Sequence, residues 1–255
     1  MRPNSKAGSN RATGWWLSAA ILVVISIAAV LSGIMKAPAS KKSPSRGTRD
    51  PGDASFLPVQ SKSSKDLGVG KVLIASRDLG DQNFTETAVL IVHYDAKSVA
   101  GLVLNRRTDV PISRVFQTLE AAKRRSDLVY LGGPVEDSVI FALLRSQTKL
   151  DDADPVFEDL YMISSKTRLE KTIADGAGSS AFHLYLGYAG WTNEQLKAEV
   201  EAGAWHIFQA DEGMVFDSDP DSLWPRMIRK TEEKIAGRFG ILSLAKSEGV
   251  GFSRE

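Results

Sequence analysis

Along the middle of the chain, short hydrophobic runs are separated by polar and glycine-containing segments, a pattern that predicts a series of β-strands. Runs rich in Val, Ile, Leu and aromatic residues cover 71–77, 87–95, 99–105, 128–136, 138–146, 160–164, 181–188 and 204–210. Runs of this composition and length, bounded by Gly, Asp, Asn or Ser, are typical of strands. The turn at residues 95–98 joins two of them and predicts an antiparallel hairpin.

Other segments between the strands have a helical period. Residues 112–125 predict a helix, because four of their apolar side chains share one stripe. These are Val115, Phe116, Leu119 and Ala122. Residues 166–175 predict a second helix, with Ser164 or Ser165 as the N-cap.

The chain after residue 180 predicts strand, turn, helix and strand in succession. In the first strand one face holds His183, Tyr185 and Gly187, and the other holds Phe182, Leu184, Leu186 and Tyr188. Residues 189–191 predict the turn. Thr192 and Gln195 have the spacing of a capping box, so a helix begins there.

A last helix is predicted within residues 217–237, with Asp219 or Asp221 as the cap. Pro225 is tolerated only if it lies in the first turn, where its missing N–H has no intrahelical partner.

The N-terminal part of the chain differs from the rest. Residues 15–35 contain no charged side chain over 21 positions, and a helix of that length covers roughly 30 Å, which predicts a single transmembrane helix. A cleaved signal peptide is the alternative, because residues 37–40 offer a small-residue cleavage site. Lys and Arg are slightly more numerous after the span than before it, which favours a single-pass membrane protein with a cytoplasmic folded domain.

These patterns divide the chain into five parts. They are an N-terminal basic tail (1–14), the predicted transmembrane helix (15–35), a flexible linker (36–66), a folded domain (67–237) and a C-terminal tail (238–255). The linker is rich in Ser and Pro and poor in large apolar residues, so it buries too little surface to offset the entropy of ordering.

Charge narrows the choice of partners. Residues 1–65 contain ten Lys and Arg against two acids, whereas residues 66–255 contain 22 Lys and Arg against 29 acids, a net charge of −7. Nucleic-acid binding requires a cationic surface that displaces phosphate counterions, so nucleic acid is not a predicted partner. The predicted partners are the membrane, through residues 15–35, and an unidentified protein, with a small-molecule ligand as the alternative.

Several short motifs together resemble the YqgE/AlgH family. They are GKVLIASRDLGDQNFTETAVLIVHYD, AGLVLNR, LGGPVE, LGYAGWTNEQLKAEVEAGAW and LW, and they span roughly residues 67–236. The resemblance implies an α+β domain whose bent, mixed β-sheet forms a pseudo-barrel flanked by helices. It also implies a regulatory association without an agreed catalytic activity.

The chain departs from the family pattern in four respects. Gln82 stands where family members usually have Pro, Arg145 where they usually have His, and Glu194 where they usually have Gly. The predicted transmembrane helix is an addition. A shared chemistry that required the missing His would be lost here.

Candidate chemistry lies on one predicted face, and each residue also has a structural explanation. The candidate ligand or interaction residues are Asn105, Gly132, Gly133, Pro134, His183, Tyr188 and Trp191. The Gly-Gly-Pro turn has backbone N–H groups that could bind an anion, but a tight turn that only glycine can make is the favoured interpretation. Asn105 also suits a strand-end cap, and the aromatic residues also suit a core.

A metal site would need more than His183 and His206. Glu136, Asp137 or His93 would have to supply the third ligand, and no spacing enforces this. A buried, hydrogen-bonded histidine is the simpler interpretation, so no metal or cofactor is predicted.

No nucleotide-binding loop, nucleophile elbow or zinc-protease motif occurs in the sequence. This favours a non-enzymatic regulatory or protein-interaction module attached to a membrane, and no catalytic residue is assigned. The alternative is a small-molecule-binding protein or hydrolase that uses the face around Asn105, residues 132–134, His183 and Trp191.

Overall fold

The computed structural model describes residues 63–233, which form a ten-stranded mixed sheet with helices on both faces. The strands are β1 (Lys71–Ala75), β2 (Ala88–Tyr94), β3 (Ser98–Val103), β4 (Arg107–Pro111), β5 (Leu128–Leu131), β6 (Val135–Arg145), β7 (Asp154–Phe157), β8 (Leu160–Ile163), β9 (Phe182–Thr192) and β10 (Trp205–Gln209). The helices are α1 (Ile112–Val115), α2 (Lys166–Ala174), α3 (Asn193–Glu201), α4 (Glu212–Val215) and α5, which covers 223–233.

Strand β9 is the centre of the sheet. The main strand order is β10-β1-β2-β3-β9-β6-β8-β7, and β5 pairs with both β4 and β9. The β5–β9 pair is parallel, whereas β9 is antiparallel to β3 and β6. Three partners can share one strand because β9 bends at Gly187, whose φ of 67° favours glycine.

The sheet curls into a half-barrel, so strands far apart in the order approach each other. A Cβ on Gly70, directly before β1, would lie 3.2 Å from the backbone oxygen of Val156 in β7. The predicted α+β class with a bent, mixed sheet and flanking helices is therefore confirmed.

Two hydrophobic clusters follow the alternation of side chains along β9. Phe182, Leu184 and Leu186 pack in one cluster with Leu169 and Ile173 of α2. The residues between them face the larger cluster, which also contains side chains of α3 and α5. The predicted separation of faces is confirmed for residues 182–186. Tyr188, predicted on the face of Phe182, instead packs against the larger cluster, because the positive φ of Gly187 interrupts the alternation.

The predicted caps of α2 and α3 agree with the structure, whereas the predicted cap of the last helix, Asp219 or Asp221, does not, since α5 begins directly after Ser222. The Ser165 hydroxyl accepts a hydrogen bond from the Arg168 N–H, and the Thr192 hydroxyl accepts one from the Gln195 N–H. Pro225 is the third residue of α5 and so lies in its first turn. Asp219 precedes this region but makes no side-chain capping bond.

The prediction of one helix over 112–125 is wrong. Only Ile112–Val115 is α-helical, followed by a 3-10 turn at Glu120–Ala122. The Ile112 N–H donates to the Asp127 carbonyl at 2.8 Å, so the two ends of this segment meet. A continuous helix of that length would hold its ends about 20 Å apart.

The predicted turn at residues 189–191 is also wrong. These residues continue β9 and pair with β3, with Gly101 opposite Ala189 and Val99 opposite Trp191. The bend lies earlier, at Gly187, and the strand then changes partners.

The predicted membrane localisation requires correction. The part of the chain that the structure describes contains no helix with the length and apolar character needed to cross a membrane. The predicted span, residues 15–35, lies outside the described residues. The C-terminal tail also lies outside them, as does the predicted linker except for residues 63–66. No observation of the structure therefore supports a membrane-spanning protein or the cytoplasmic placement derived from it.

Candidate functional site

A cavity of about 480 Å³ lies among β2, β3, β6, β8 and β9. Its walls are mostly apolar. They include Val92, Val99, Leu102, Phe141, Met162 and Trp191. Cavities of this size and character are typical of small-molecule sites.

Polar side chains are added to these walls by the β2–β3 hairpin and by the junction of β9 with α3. They are His93, Lys97, Ser98, Tyr188, Thr192 and Gln195. Burial, followed by the nearby Glu136 carboxylate, raises the pKa of the half-buried Tyr188 phenol, so this group remains a neutral hydrogen-bonding group.

Asp95 organises the hairpin turn beside the cavity. Its carboxylate accepts hydrogen bonds from the N–H groups of Lys97 and Ser98, at 2.7 and 2.8 Å, and lies 3.1 Å from His93 Nε2. The two backbone donors, followed by His93, lower the pKa of Asp95 to about 2. The Asn193 amide also donates to the Asp95 carbonyl at 2.6 Å, which joins the hairpin to the start of α3.

His93, Ser98 and Asp95 do not have the arrangement of a catalytic triad. Ser98 Oγ and Asp95 Oδ2 both approach the same ring nitrogen of His93, Nε2, at 3.3 and 3.1 Å. A triad places its nucleophile and its carboxylate on opposite ring nitrogens. This geometry suits a hydrogen-bonded turn rather than a proton relay to Ser98.

Glu199 of α3 holds the wall formed by Trp191. Its Oε2 accepts hydrogen bonds from the indole N–H of Trp191 at 3.1 Å and of Trp205 at 2.8 Å. Its Oε1 accepts from the Gln195 amide at 2.8 Å. Phe84 stacks on Trp191, with ring centroids 5.3 Å apart. The wall is therefore fixed before a ligand arrives.

The predicted candidate residues lie in several places. Tyr188 and Trp191 line the cavity. Gly132 and Gly133 pack against the backbone of β9, where a Cβ would lie 2.2 Å from Gly187 O and from Tyr188 C respectively. The Gly132 N–H donates to the Leu186 carbonyl and is thus not available to an anion. Pro134 is exposed beside this turn.

Asn105 lies elsewhere, just after β3, and its side chain binds the backbone at the start of β2. Its Oδ1 accepts from the Ala88 N–H at 2.9 Å, and its Nδ2 donates to the Glu86 carbonyl at 2.8 Å. It borders a second, polar cleft of about 350 Å³. The structure therefore does not bring Asn105 together with Tyr188 and Trp191.

His183 is buried among aromatic rings and does not line the cavity. It stacks on Tyr130, with centroids 4.6 Å apart, and meets Phe216 edge-on. Burial lowers its pKa to about 4, so the ring is neutral near pH 7.

The suggested pairing of His183 and His206 at a metal does not match the sheet. His183 lies in β9 and His206 in β10, with three strands between them in the main order. Strand spacing of about 4.8 Å separates them by roughly 19 Å in a flat sheet. Within residues 63–233 no group of three His, Asp or Glu side chains could hold a metal ion.

Sequence reasoning missed several residues of the cavity. His93 and Ser98 lie on either side of a hairpin turn, and their position beside this turn was the available sequence signal. Phe141 and Met162 face the cavity only because β6 and β8 curl over it. Glu199 carried no sequence signal beyond its place in a helix.

A family model described as AlgH-like matches residues 72–236. A UPF0301 protein from Cytophaga hutchinsonii is 31% identical over 69% of this chain and 94% of its own. A UPF0301 protein from Chlorobium luteolum is 30% identical over 65% of this chain and 86% of its own.

Two solved structures share the fold. The solution structure of the AlgH protein from Pseudomonas aeruginosa is 26% identical, with a TM-score of 0.50 over 82% of this chain and 100% of that one. A crystal structure of a protein from Corynebacterium diphtheriae has a TM-score of 0.56 over 65% of this chain and 87% of that one. The latter is 22% identical and supports the fold alone.

Proposed function

Because the chain belongs to the AlgH-like family, whose matched relatives carry no named reaction, we propose that it is a non-enzymatic module that binds a small, largely apolar molecule. The observation that carries the proposal is the 480 Å³ cavity with its apolar walls. Transfer of apolar ligand surface from water contributes about 25 cal/mol per Å² buried, which is sufficient for measurable binding in a cavity of this size.

The polar side chains orient the ligand. Ser98, Thr192 and Gln195 line the same cavity and offer hydroxyl and amide groups at one side of it. A few placed polar groups in an apolar pocket fix ligand orientation and discriminate among apolar molecules. The ligand class is therefore an apolar body with a polar group.

The connection of the cavity to α3 supports the proposal of a regulatory role. Gln195 lines the cavity, Glu199 binds Trp191, and Glu201 accepts a hydrogen bond from the Ser64 hydroxyl at 2.8 Å. A ligand that contacts Trp191 thus acts on a helix that also contacts the segment before β1. The predicted protein partner would respond to this helix.

Binding can be tested with N-phenyl-1-naphthylamine, an uncharged apolar fluorophore. We expect saturable fluorescence enhancement with a micromolar dissociation constant, equivalent to about −7 to −8 kcal/mol. Gly190→Val should weaken binding about tenfold or more, since a Cβ at this exposed position lies 3.2 Å from the Tyr188 ring and the added methyl groups narrow the cavity.

Gly80→Val is the matched control. A Cβ at Gly80 has no atom within 4 Å, and the residue does not line the cavity. Equal probe binding by wild type and Gly190→Val, with both proteins folded by circular dichroism, would contradict the proposal.

A further inference from the structure

The polar cleft beside Asn105 contains opposite charges that do not pair with each other. Arg106, Glu86 and Asp221 border its 350 Å³ together with Thr85 and Trp224. In the described part of the chain no ion pair joins Arg106 to Glu86 or to Asp221, and Asp221 lies 3.8 Å from Arg107 instead. The cleft is therefore separate from the apolar cavity in position and in chemistry.

The Arg106 guanidinium is half-buried but weakly bonded. Its hydrogen bond is a long one, from Nη2 to the Thr85 carbonyl at 3.5 Å. Burial lowers its pKa, and the more distant Asp81 acts in the opposite direction. Arginine nevertheless stays protonated in proteins, so a planar group with five N–H donors borders the cleft. Such a group matches a carboxylate, which it can bind through two parallel hydrogen bonds.

Glu86, which also borders the cleft, is held in an unfavourable backbone conformation. Its φ of 56° lies in the left-handed region, which costs a non-glycine residue free energy. The Asn105 side chain binds the Glu86 carbonyl and the Ala88 N–H and thereby fixes this conformation from both sides. The Glu86 side chain is exposed, so its carboxylate is available to a ligand.

We propose that this cleft binds a small zwitterion of the α-amino-acid class. The ligand carboxylate binds the Arg106 guanidinium, and its ammonium group lies against the carboxylates of Glu86 and Asp221. A ligand that carries only a negative charge is repelled by the two carboxylates. A ligand that carries only a positive charge is repelled by Arg106. A molecule with both charges is the class that matches every charged group bordering the cleft. The Trp224 and Pro225 side chains leave an apolar margin for the ligand side chain.

The test is an NMR titration of the full-length protein with L-alanine, L-leucine and L-phenylalanine. Each amino acid is compared with two analogues. One is the carboxylate that lacks its ammonium group, and the other is the amine that lacks its carboxylate. The readout is the indole N–H of Trp224, which donates to the Ala75 carbonyl at 2.8 Å and belongs to a residue bordering the cleft. We expect saturable shifts with at least one amino acid and binding about tenfold weaker or worse for its singly charged analogues.

Two variants remove one charge each. Arg106→Gln should weaken amino-acid binding about tenfold or more, and Glu86→Gln, at an exposed side chain, should weaken it without affecting folding. Arg124→Gln, exposed and away from the cleft, is the matched control and should bind as the wild type does. The proposal is overturned if no amino acid binds up to ~10 mM, if an analogue binds as tightly as its amino acid, or if Glu86→Gln has no effect. None of these results bears on the separate proposal that the apolar cavity binds the fluorescent probe.

Discussion

At the residue scale, the half-buried Glu199 and the buried His183 explain much of the local organisation. Glu199 accepts hydrogen bonds from two indole N–H groups and one amide, and so joins α3 to β9 and β10. His183 fills a space among aromatic rings as a neutral group. His183 was identified from sequence because histidines are rare in this chain, whereas Glu199 resembled any helical glutamate.

Glu199→Ala should lower the free energy of unfolding by about 2–4 kcal/mol. Two indole donors in the interior would lose a charged acceptor, and buried donors without partners are costly. Urea denaturation measures the change. Lys197→Ala, exposed on the same helix, should change stability by about 0.5 kcal/mol or less. Similar losses for the two variants would show that the indole contacts contribute little.

His183 makes stability depend on pH. Its pKa of about 4 in the folded protein lies below the ordinary value of 6.5, so the unfolded chain binds the proton more readily. The stabilisation is complete above pH 6.5 and is lost as pH falls towards 4. At pH 5 the loss amounts to about 2 kcal/mol.

His183→Phe keeps an aromatic ring against Tyr130 and removes the titrating group. Urea denaturation at pH 7 and pH 5 should show a smaller pH effect for this variant than for the wild type. An unchanged difference between the two pH values would refute the assignment.

At the element scale, strands and caps were predictable because their signals are local. The continuous apolar runs of β1, β2 and β10 and the caps of α2 and α3 lie within a few residues of each element. The false helix at 112–125 failed because a long-range bond joins Ile112 to Asp127. Residues 189–191 resembled a turn because glycine normally breaks a strand, but here glycine permits close packing.

Gly132→Ala should destabilise the β5–β6 connection severely. A Cβ at this position lies 2.2 Å from the Gly187 carbonyl oxygen, so the backbone itself must move. We expect a loss of about 3 kcal/mol or more in urea denaturation. Gly80→Ala, which meets no atom within 4 Å, should remain within about 0.5 kcal/mol of the wild type. A mild effect at Gly132 would mean that the two strands can separate at little cost.

At the scale of the whole molecule, the sequence predicts the fold class but not the site. Tyr188 and Trp191 were identified as candidates, and they line the cavity. Asn105 and His183 were predicted to share one face with them. The curl of the sheet separates them, since it brings β6 and β8 over β9 and leaves Asn105 beside Trp224. Curvature of this kind depends on pairings between distant strands, which a single sequence does not specify.

The central claim is that the cavity beside Trp191 binds an apolar molecule. The most direct measurement locates bound N-phenyl-1-naphthylamine by NMR. Its effect is followed at the indole N–H resonances of the full-length protein, and the Trp191 resonance is assigned with Trp191→Phe. The account predicts a saturable shift of the Trp191 resonance, whose donor is held by Glu199, with the Trp224 resonance unchanged. A saturable shift at Trp224 without one at Trp191, or no saturable shift at Trp191, would contradict it.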